Sequence, residues 1–404
     1  MSFAEDVSRE RRILLVDCDQ FFVQCARLAD PEGAGRESLL LVGGSSRQRG
    51  VITSASYETR PFGVHSGMPT ARALRLCPAA TVVPVPRSLC LQKSREVRSV
   101  LDGFSPVVEP ASIDEAYLDM SGTETLYHEE SLERTARRIR DDVLALTSIS
   151  VSVGGGPTRV VAKLAVERAK PAGVLVVPHA DVVDFMRGCQ LADIPGVGPV
   201  FAAELARLGL VTVEQALHRD RTTLESWLGA PRGHWLFRRI RGIDGGEIVP
   251  DRQARSMSRE ETFPADIDDD EELQTQLLAL AVRLGADLRK HELRARTITV
   301  KLRDADFRTR QAARSLDSAI ESDRALFNAA RDRLASLRSA RRTPARLVGI
   351  AVSGLESAAT PVQLSAFDDS TPETDRDRRL ARTTDELRRR FGRNAVVPGR
   401  LLGH

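Results

Sequence analysis

The sequence predicts a multidomain α/β protein, and three observations carry that expectation. Its 404 residues exceed what one ordinary core organises. In the first part of the chain, short aliphatic or β-branched runs alternate with stretches of helical periodicity. Beyond residue 255 a second series reads β-α-β-β-α-β, the order of a compact four-stranded sheet with two helices on one face.

Taken in order, residues 13–16, 39–42, 51–54 and 81–85 read as short strands, each bounded by Gly, Pro or polar residues. Apolar spacing of three and four predicts helices over 87–101 and 131–146. Residues 107–120 read as a hairpin turning near Asp114, and 149–153 as a strand leading through Gly154-Gly155-Gly156-Pro157 into a helix ending at Ala169. Residues 182–241 are helical and punctuated by glycine. After a linker at 244–255, strands at 256–263, 297–303, 309–316 and 345–353 accompany helices at 269–290 and 321–338. The remainder is rich in Ser, Thr, Pro and charge, predicting a partly mobile tail with a short helix at 384–391.

Composition fits a globular protein in water, with 42% hydrophobic and 28% charged residues. No apolar run approaches the ~20 residues of a membrane span. The N-terminus lacks a basic segment followed by an apolar one, so a cytoplasmic protein is expected. Five cysteines without a CxxC pair argue against a disulfide framework or zinc site. The net charge of +3 conceals a basic stretch: residues 286–346 hold sixteen Lys/Arg and eight Asp/Glu, a net of +8 that would attract a polyanion. Aromatics at 4% argue against binding through a row of stacked bases.

The chemistry concentrates in Ser112-Ile113-Asp114-Glu115-Ala116-Tyr117-Leu118-Asp119, which sets two adjacent carboxylates among β-formers. Asp17 ends the apolar run at 13–16. Three carboxylates on neighbouring strand ends would hold two divalent cations, the arrangement phosphoryl transfer requires.

Further motifs follow in register. They are Asp17-Cys18-Asp19-Gln20-Phe21-Phe22, Ser56-Tyr57-Glu58-Thr59-Arg60, Phe62-Gly63-Val64-His65-Ser66-Gly67-Met68-Pro69, Val153-Gly154-Gly155-Gly156-Pro157-Thr158-Arg159 and Ala169-Lys170-Pro171-Ala172-Gly173. Together with the carboxylate run, they make residues from about 11 to about 355 resemble the Y-family DNA polymerases of the DNA polymerase IV type. The resemblance implies a right-hand polymerase with an α/β palm at 11–20 and 87–175 and fingers at 21–86. It implies a helical thumb at 176–243, a β-α-β-β-α-β little finger at 256–355 and a tail at 356–404.

It also implies roles. Asp17, Asp114 and Glu115 would be catalytic and would hold two Mg²⁺ ions, with the backbone carbonyl of Cys18 completing one sphere. Phe22 would be the steric gate beneath the sugar, with Phe21 beside it; Phe21 is expected to pack inward and Phe22 to face the sugar, by alternation. Ser54, Tyr57, Arg60 and Lys170 would bind the nucleotide, a guanidinium forking onto phosphate oxygens and an ammonium adding a point charge. The Ile194-Pro195-Gly196-Val197-Gly198-Pro199 turn looks like a helix-hairpin-helix element in which Gly196 and Gly198 let the backbone approach DNA phosphates. Arg259, Lys301, Arg303 and Arg308 would be little-finger DNA contacts. Gln363-Leu364-Ser365-Ala366-Phe367 resembles a sliding-clamp-binding peptide, through Gln363, Leu364 and Phe367.

Three departures from the family pattern stand out: Gln20 between Asp19 and the paired aromatics, Thr158-Arg159 in place of Asn-Lys, and the extra glycines before them. A non-catalytic scaffold of the same fold would lose the carboxylates, which are all present. A nucleotidyl cyclase would have no use for the hairpin, the basic second unit or the clamp-like peptide. The expected activity is therefore primer extension by a monomer on primer–template DNA with deoxynucleoside triphosphates, without proofreading and with low fidelity opposite damaged template.

Overall fold

The computed structural model describes residues 11–128, 130–251, 253–359 and 373–402, which form two compact units meeting at residues 252 and 253. That division falls inside the linker expected at 244–255.

In the first unit the chain runs through β1 (Ile13–Cys18), α1 (Phe21–Ala29), β2 (Leu40–Gly43), β3 (Ile52–Ala55), α2 (Thr70–Leu76), β4 (Thr81–Val83) and α3 (Arg87–Asp102). It continues through β5 (Val108–Pro110), β6 (Glu115–Asp119), α4 (Leu132–Thr147), β7 (Val151–Gly156), α5 (Arg159–Ala169) and β8 (Val174–Val176). Five of these strands build one sheet in the order β5-β6-β1-β7-β8, antiparallel except for β7–β8. Central β1 is buried at every residue because both of its faces are covered. Leu14, Val16 and Cys18 join a core with Phe21, Cys25 and Ile139, while Ile13 and Leu15 pack on Ala162 and Val166 of α5.

The glycine run lies inside β7 rather than in a turn after it. A Cβ on Gly154 would lie 2.2 Å from both the Ala162 carbonyl oxygen and the Val166 nitrogen. Without it α5 rests directly on the strand backbone. This contact sets the height of α5 over the sheet, and therefore the positions of Lys163 within it and Lys170 just past its end.

A small sheet, β3-β2-β4, covers the segment between α1 and α3, with its own core of Leu41, Ile52, Met68 and Cys77. Five short helices follow: α6 (Val182–Arg187), α7 (Pro199–Arg207), α8 (Val213–Leu217), α9 (Arg221–Leu228) and α10 (Ala230–Arg239). Thr212 and Gln215 cap α8 reciprocally, and Asp220 caps α9. All five cysteines are buried and unpaired. Among the described residues no helix is long and apolar enough to cross a membrane.

The second unit contains β9 (Ser256–Ile267), α11 (Asp270–Lys290), β10 (Leu293–Asp304), β11 (Thr309–Ile320), α12 (Asp323–Ala340), β12 (Ala345–Ser357) and α13 (Asp375–Phe391). The strands make one antiparallel sheet in the order β11-β10-β12-β9. Ile298, Val300 and Leu302 of β10 turn into the core with Leu277, Leu284, Leu326 and Leu334 of the helices, and the alternate residues Thr297, Thr299, Lys301 and Arg303 face away.

The tail helix is 17 residues long rather than the 8 of 384–391. Its start is set by a cap that sequence periodicity misses: Thr374 and Asp377 bond each other's backbone reciprocally. Glu373, just before it, is buried and accepts the Glu321 backbone N–H at 3.0 Å.

Candidate active site

Strand pairing places the carboxylates. Asp17, next to last in β1, stands directly across from Glu115, first in β6. The Cys18 backbone N–H donates to the Asp114 carbonyl at 2.9 Å, so the pairing continues into the turn. Ser112 fixes that turn, its Oγ accepting from the Asp114 and Glu115 N–H groups at 3.2 and 3.1 Å and donating to the Asp114 carboxylate.

Two lysines from the α5 region reach these groups. Lys163 Nζ lies 3.1 Å from Asp17 Oδ2 and 2.7 Å from Glu115 Oε1. Lys170 Nζ lies 2.9 Å from the same Asp17 oxygen, and both lysines also pair with Glu167. Burial pushes the Glu115 carboxyl up, partly countered by its hydrogen bond from Lys163. Burial works against the charge on Lys163 and Lys170, but the carboxylates outweigh it and hold both ammonium groups protonated.

Asp17 and Glu115 thus converge on Lys163, while Asp114 is turned onto Ser112. Among the described residues no group of three His, Cys, Asp or Glu side chains stands ready to hold a metal ion. The donor set nevertheless fits a hard divalent cation. It offers only oxygens, two in register and a third one residue away on the same turn, and an ammonium already sits stably between the first two. The Cys18 thiol is held well above its ordinary range by burial and then by Asp114, so it stays neutral; its backbone is the part that can ligate.

Asp19 is the residue whose importance the sequence hid. It is 3% exposed and accepts four hydrogen bonds. Oδ1 takes the Ser152 hydroxyl at 2.8 Å and the Tyr57 hydroxyl at 3.1 Å; Oδ2 takes the Ser150 hydroxyl and the Ala172 N–H, both at 2.9 Å. It thereby ties β7, the Tyr57 loop and the turn after Lys170 to one point. The signal was present in Ser150, just before β7, and Ser152 within it, two serines at i and i+2 whose polar side chains needed a buried partner.

Burial, then Asp19, pushes the Tyr57 phenol far up, so it donates as a neutral hydroxyl. The Arg60 guanidinium lies 4.2 Å over the Tyr57 ring and is exposed. Gln20, the departure from the family pattern, adopts a left-handed conformation (φ 39°, ψ 47°), and its Oε1 accepts the Tyr57 N–H at 3.0 Å. A cavity of about 330 Å³ opens here, lined by Asp19, Gln20, Gln24, Tyr57, Ser150 and Pro171 among others.

Two expectations need correction. Phe21 and Phe22 begin helix α1 rather than a strand, so alternation was the wrong reason for separating them. The outcome is similar, since neighbours on a helix lie about 100° apart: Phe21 is buried and Phe22 half-exposed. The Phe21 ring therefore cannot touch a nucleotide, and only its backbone can. Ser54 is likewise buried, within the small sheet opposite Val42.

In the helical part, Gly196 has φ 103°, and a Cβ there would meet the Trp235 ring at 2.7 Å. Gly198 caps α7 with Pro199 in its first turn, leaving the α7 N-terminus exposed at Val200. In the second unit the open sheet face carries Lys301 and Arg303, bound to Glu260 and Thr309, and Arg308 lies in the β10–β11 turn. Arg259 is a further correction. Its strand alternation turns it to the helix side, where Asp287 of α11 holds its guanidinium. The peptide 363–367 lies outside the described residues.

Residues 16–167 match the impB/mucB/samB family, and residues 254–366 match its C-terminal domain. The chain is 35% identical to the DNA polymerase IV of Staphylococcus saprophyticus over 349 residues, 86% of this chain and 96% of that one. It is 33% identical to the DNA polymerase IV of Dehalococcoides mccartyi over 390 residues, 96% of this chain and 97% of that one. Among solved structures, a Y-family DNA polymerase chimera of Dbh and Dpo4 superposes with a TM-score of 0.76 at 26% identity, covering 85% of this chain and 98% of that chain. DinB from Sulfolobus solfataricus does so with a TM-score of 0.57 at 26% identity, with the same coverage. With the motif order, the carboxylate register and the sheet topologies pointing the same way, the chain belongs to the impB/mucB/samB family of Y-family DNA polymerases, of the DNA polymerase IV type.

Proposed function

We propose that this polymerase adds deoxynucleotides to a primer 3′-hydroxyl at the Asp17–Asp114–Glu115 site, releasing pyrophosphate and tolerating damaged template. The observation that carries the reading is the register of Asp17 with Glu115, flanked by cationic and hydroxyl groups on one side of the same strand end. Bound divalent ions, Mg²⁺ by the chemistry of the donors, would acidify the 3′-hydroxyl and neutralise charge on the reacting phosphate. Asp17, Asp114, Glu115 and the Cys18 carbonyl would hold them. Asp114 would need to turn from Ser112 to join them.

The other groups act on the nucleotide directly. Lys170, Arg60 and the Tyr57 hydroxyl would bind the triphosphate, aided by the N–H groups of Phe21 and Phe22, which as the first in α1 have no intrahelical carbonyl to bond. Phe22 would lie under the sugar and exclude a 2′-hydroxyl. The Gly196–Gly198 hairpin would hold duplex DNA through phosphates. The open face of the second sheet would grip it as well: beside Lys301, the rows through Thr297 and Thr299 carry only Ser, Thr and Ala, so a phosphate backbone can approach closely there. Peptide 363–367 would dock on a sliding clamp, with Ala366 weakening the contact by about 1–2 kcal/mol relative to a larger aliphatic residue.

The test is extension of a labelled primer opposite undamaged and lesion-bearing templates in Mg²⁺, with Asp114→Ala as control. Extension across both templates, abolished in the variant while its melting temperature is unchanged, is expected. Equal extension by the variant would overturn the site assignment, and an error rate like that of a proofreading enzyme would overturn the low-fidelity reading.

A further inference from the structure

Helix α13 sorts its charges by face. Toward the second unit's helical layer it presents Ala381, 6% exposed, and a set of inward ion pairs. Asp385 accepts Arg289 of α11 at 2.6 Å, and Arg382 reaches the buried Glu321 at 2.9 Å. Arg388 approaches Asp323 at 3.7 Å, and beyond the helix Arg400 binds Thr275 at 3.1 Å. These contacts dock the helix through its acids and through arginines whose charge is matched.

The outward side is different. Arg376, Arg379, Arg389, Arg390 and, two residues past the helix, Arg393 are exposed and form no hydrogen bond or ion pair with a described residue; only Arg379 feels a nearby acid, Asp375. Arg376, Arg379 and Arg390 share one stripe, because spacings of three and fourteen residues return to nearly the same side of a helix. The stripe spans about 21 Å at 1.5 Å per residue. Two acids are exposed beside it, Glu386 and the first-turn Asp375. The same layer holds a cleft of about 280 Å³ lined by Arg331, Arg338 and Arg342 against Asp270. Gln274 also lines that cleft, and Arg400 bonds it at 3.4 Å, so the C-terminal turn and the cleft adjoin.

We propose that the outward arginines of α13 form a nucleic-acid contact of their own, gripping the phosphodiester backbone from the helical side of the second unit. Several observations favour a phosphate polyanion. The unmatched charge is all guanidinium, which forks onto phosphate oxygens. The charges follow a line rather than a patch, as a nucleic-acid strand does. DNA is also the polyanion this enzyme handles. The exposed apolar residues on this side, Leu380 and Phe391, stand eleven positions apart and do not make a contiguous apolar surface.

The test uses the full chain with Arg376, Arg379, Arg389, Arg390 and Arg393 all changed to Gln, and a second variant with the same five changed to Lys. Binding of a fluorescent 40-base-pair primer–template is measured from 50 to 300 mM salt. The Gln variant is expected to lower the slope of log Kd against log salt by about 2–4 and to weaken binding at 50 mM by about tenfold or more. The Lys variant should keep most of the slope, and kcat at saturating DNA should match the parent in both. A Gln variant with parental slope and affinity overturns the proposal. So does a Lys variant that loses as much as the Gln variant, because the loss would then not be one of charge. An unchanged DNA affinity would point instead to a protein docking on α13, and it too overturns the proposal.

Discussion

Replacing Asp19 by Ala should damage both stability and nucleotide affinity, and the structure sets the scale. The substitution removes the acceptor for the Ser150, Ser152 and Tyr57 hydroxyls and for the Ala172 N–H, at a site 3% exposed. The two serine hydroxyls can rotate toward other acceptors. The Ala172 N–H and the Tyr57 hydroxyl are held by backbone and ring, and each stranded donor costs about 1–3 kcal/mol. Relief of a buried carboxylate returns part of this, so a net loss of about 3 kcal/mol is expected. At about 2–4 °C per kcal/mol for a unit of this size, melting should fall by about 6–12 °C. Because Asp19 also fixes Tyr57 and the turn after Lys170, KM for the incoming nucleotide should rise by about tenfold, the equivalent of about 1.4 kcal/mol. Asp19→Asn is the discriminating control. With its carbonyl in the place of Oδ2, it still accepts Ala172 and Ser150, and its amide can donate to the Tyr57 and Ser152 oxygens, which are able to accept. It should lose about 1 kcal/mol and little affinity. Calorimetry and single-nucleotide incorporation kinetics measure both effects. If Asp19→Ala melts within about 1 °C of the parent, a tenth of the expected shift, with unchanged KM, the anchoring argument is wrong.

Other perturbations follow from the same geometry. Phe22→Ala should raise ribonucleotide incorporation without lowering stability by more than about 1–2 kcal/mol, since that ring is half-exposed; unchanged sugar discrimination removes the steric-gate role. Gly154→Ala should destabilise by about 1–3 kcal/mol or more and cut extension, because a Cβ 2.2 Å from two α5 backbone atoms must push the lysine-bearing helix off the sheet; a stable, fully active variant would refute that contact. Arg289→Met should cost about 3 kcal/mol, leaving Asp323 and Asp385 with only the looser contacts of Arg388, and should expose α13 to limited proteolysis; an unchanged digestion pattern would show that the helix is held by something else.

Much of the architecture was legible because it rests on local signals. Strand cores such as 13–16 are buried on both faces and read as unbroken aliphatic runs, and the long helices carry clear three- and four-residue spacing. The misreadings share a cause, which is that tertiary neighbours decided the matter. Three glycines look like a turn until a helix lies on them. Phe21 and Phe22 look like strand alternation until Gln20 takes a left-handed conformation and starts a helix. The basic stretch at 286–346 was legible only in part: Lys301 and Arg303 do stand on the open sheet face. Yet Arg289 is bound to Asp385, Arg310 and Arg341 share the buried Asp304, and Arg338 is bound to Asp270. A charge count cannot separate arginines that stitch a fold together from those left for a partner. Asp19 was overlooked for the mirror-image reason: it sat in a recognised motif, but its four donors come from three separate segments.

The carboxylate pair poses a folding problem that α5 solves. Asp17 and Glu115 are neighbours in an antiparallel register, and like charges directly opposed across strands are destabilising. Asp17 is also buried, which raises the cost of its charge. Lys163 and Lys170 answer this from the middle of α5 and from the residue just past its C-terminus, and Glu167 between them fixes both ammonium groups. The lysines reach the carboxylates only because Gly154 lets the helix settle onto β7, and β7 in turn supplies Ser152 to Asp19. One contact between a glycine strand and a helix therefore serves the stability of the sheet, the pairing of the acids and the placement of Lys170, the residue proposed to bind the triphosphate. Substitutions on that interface should change melting temperature and nucleotide affinity together, whereas those at Asp114, which faces Ser112 on the exposed turn, should abolish chemistry and leave melting untouched.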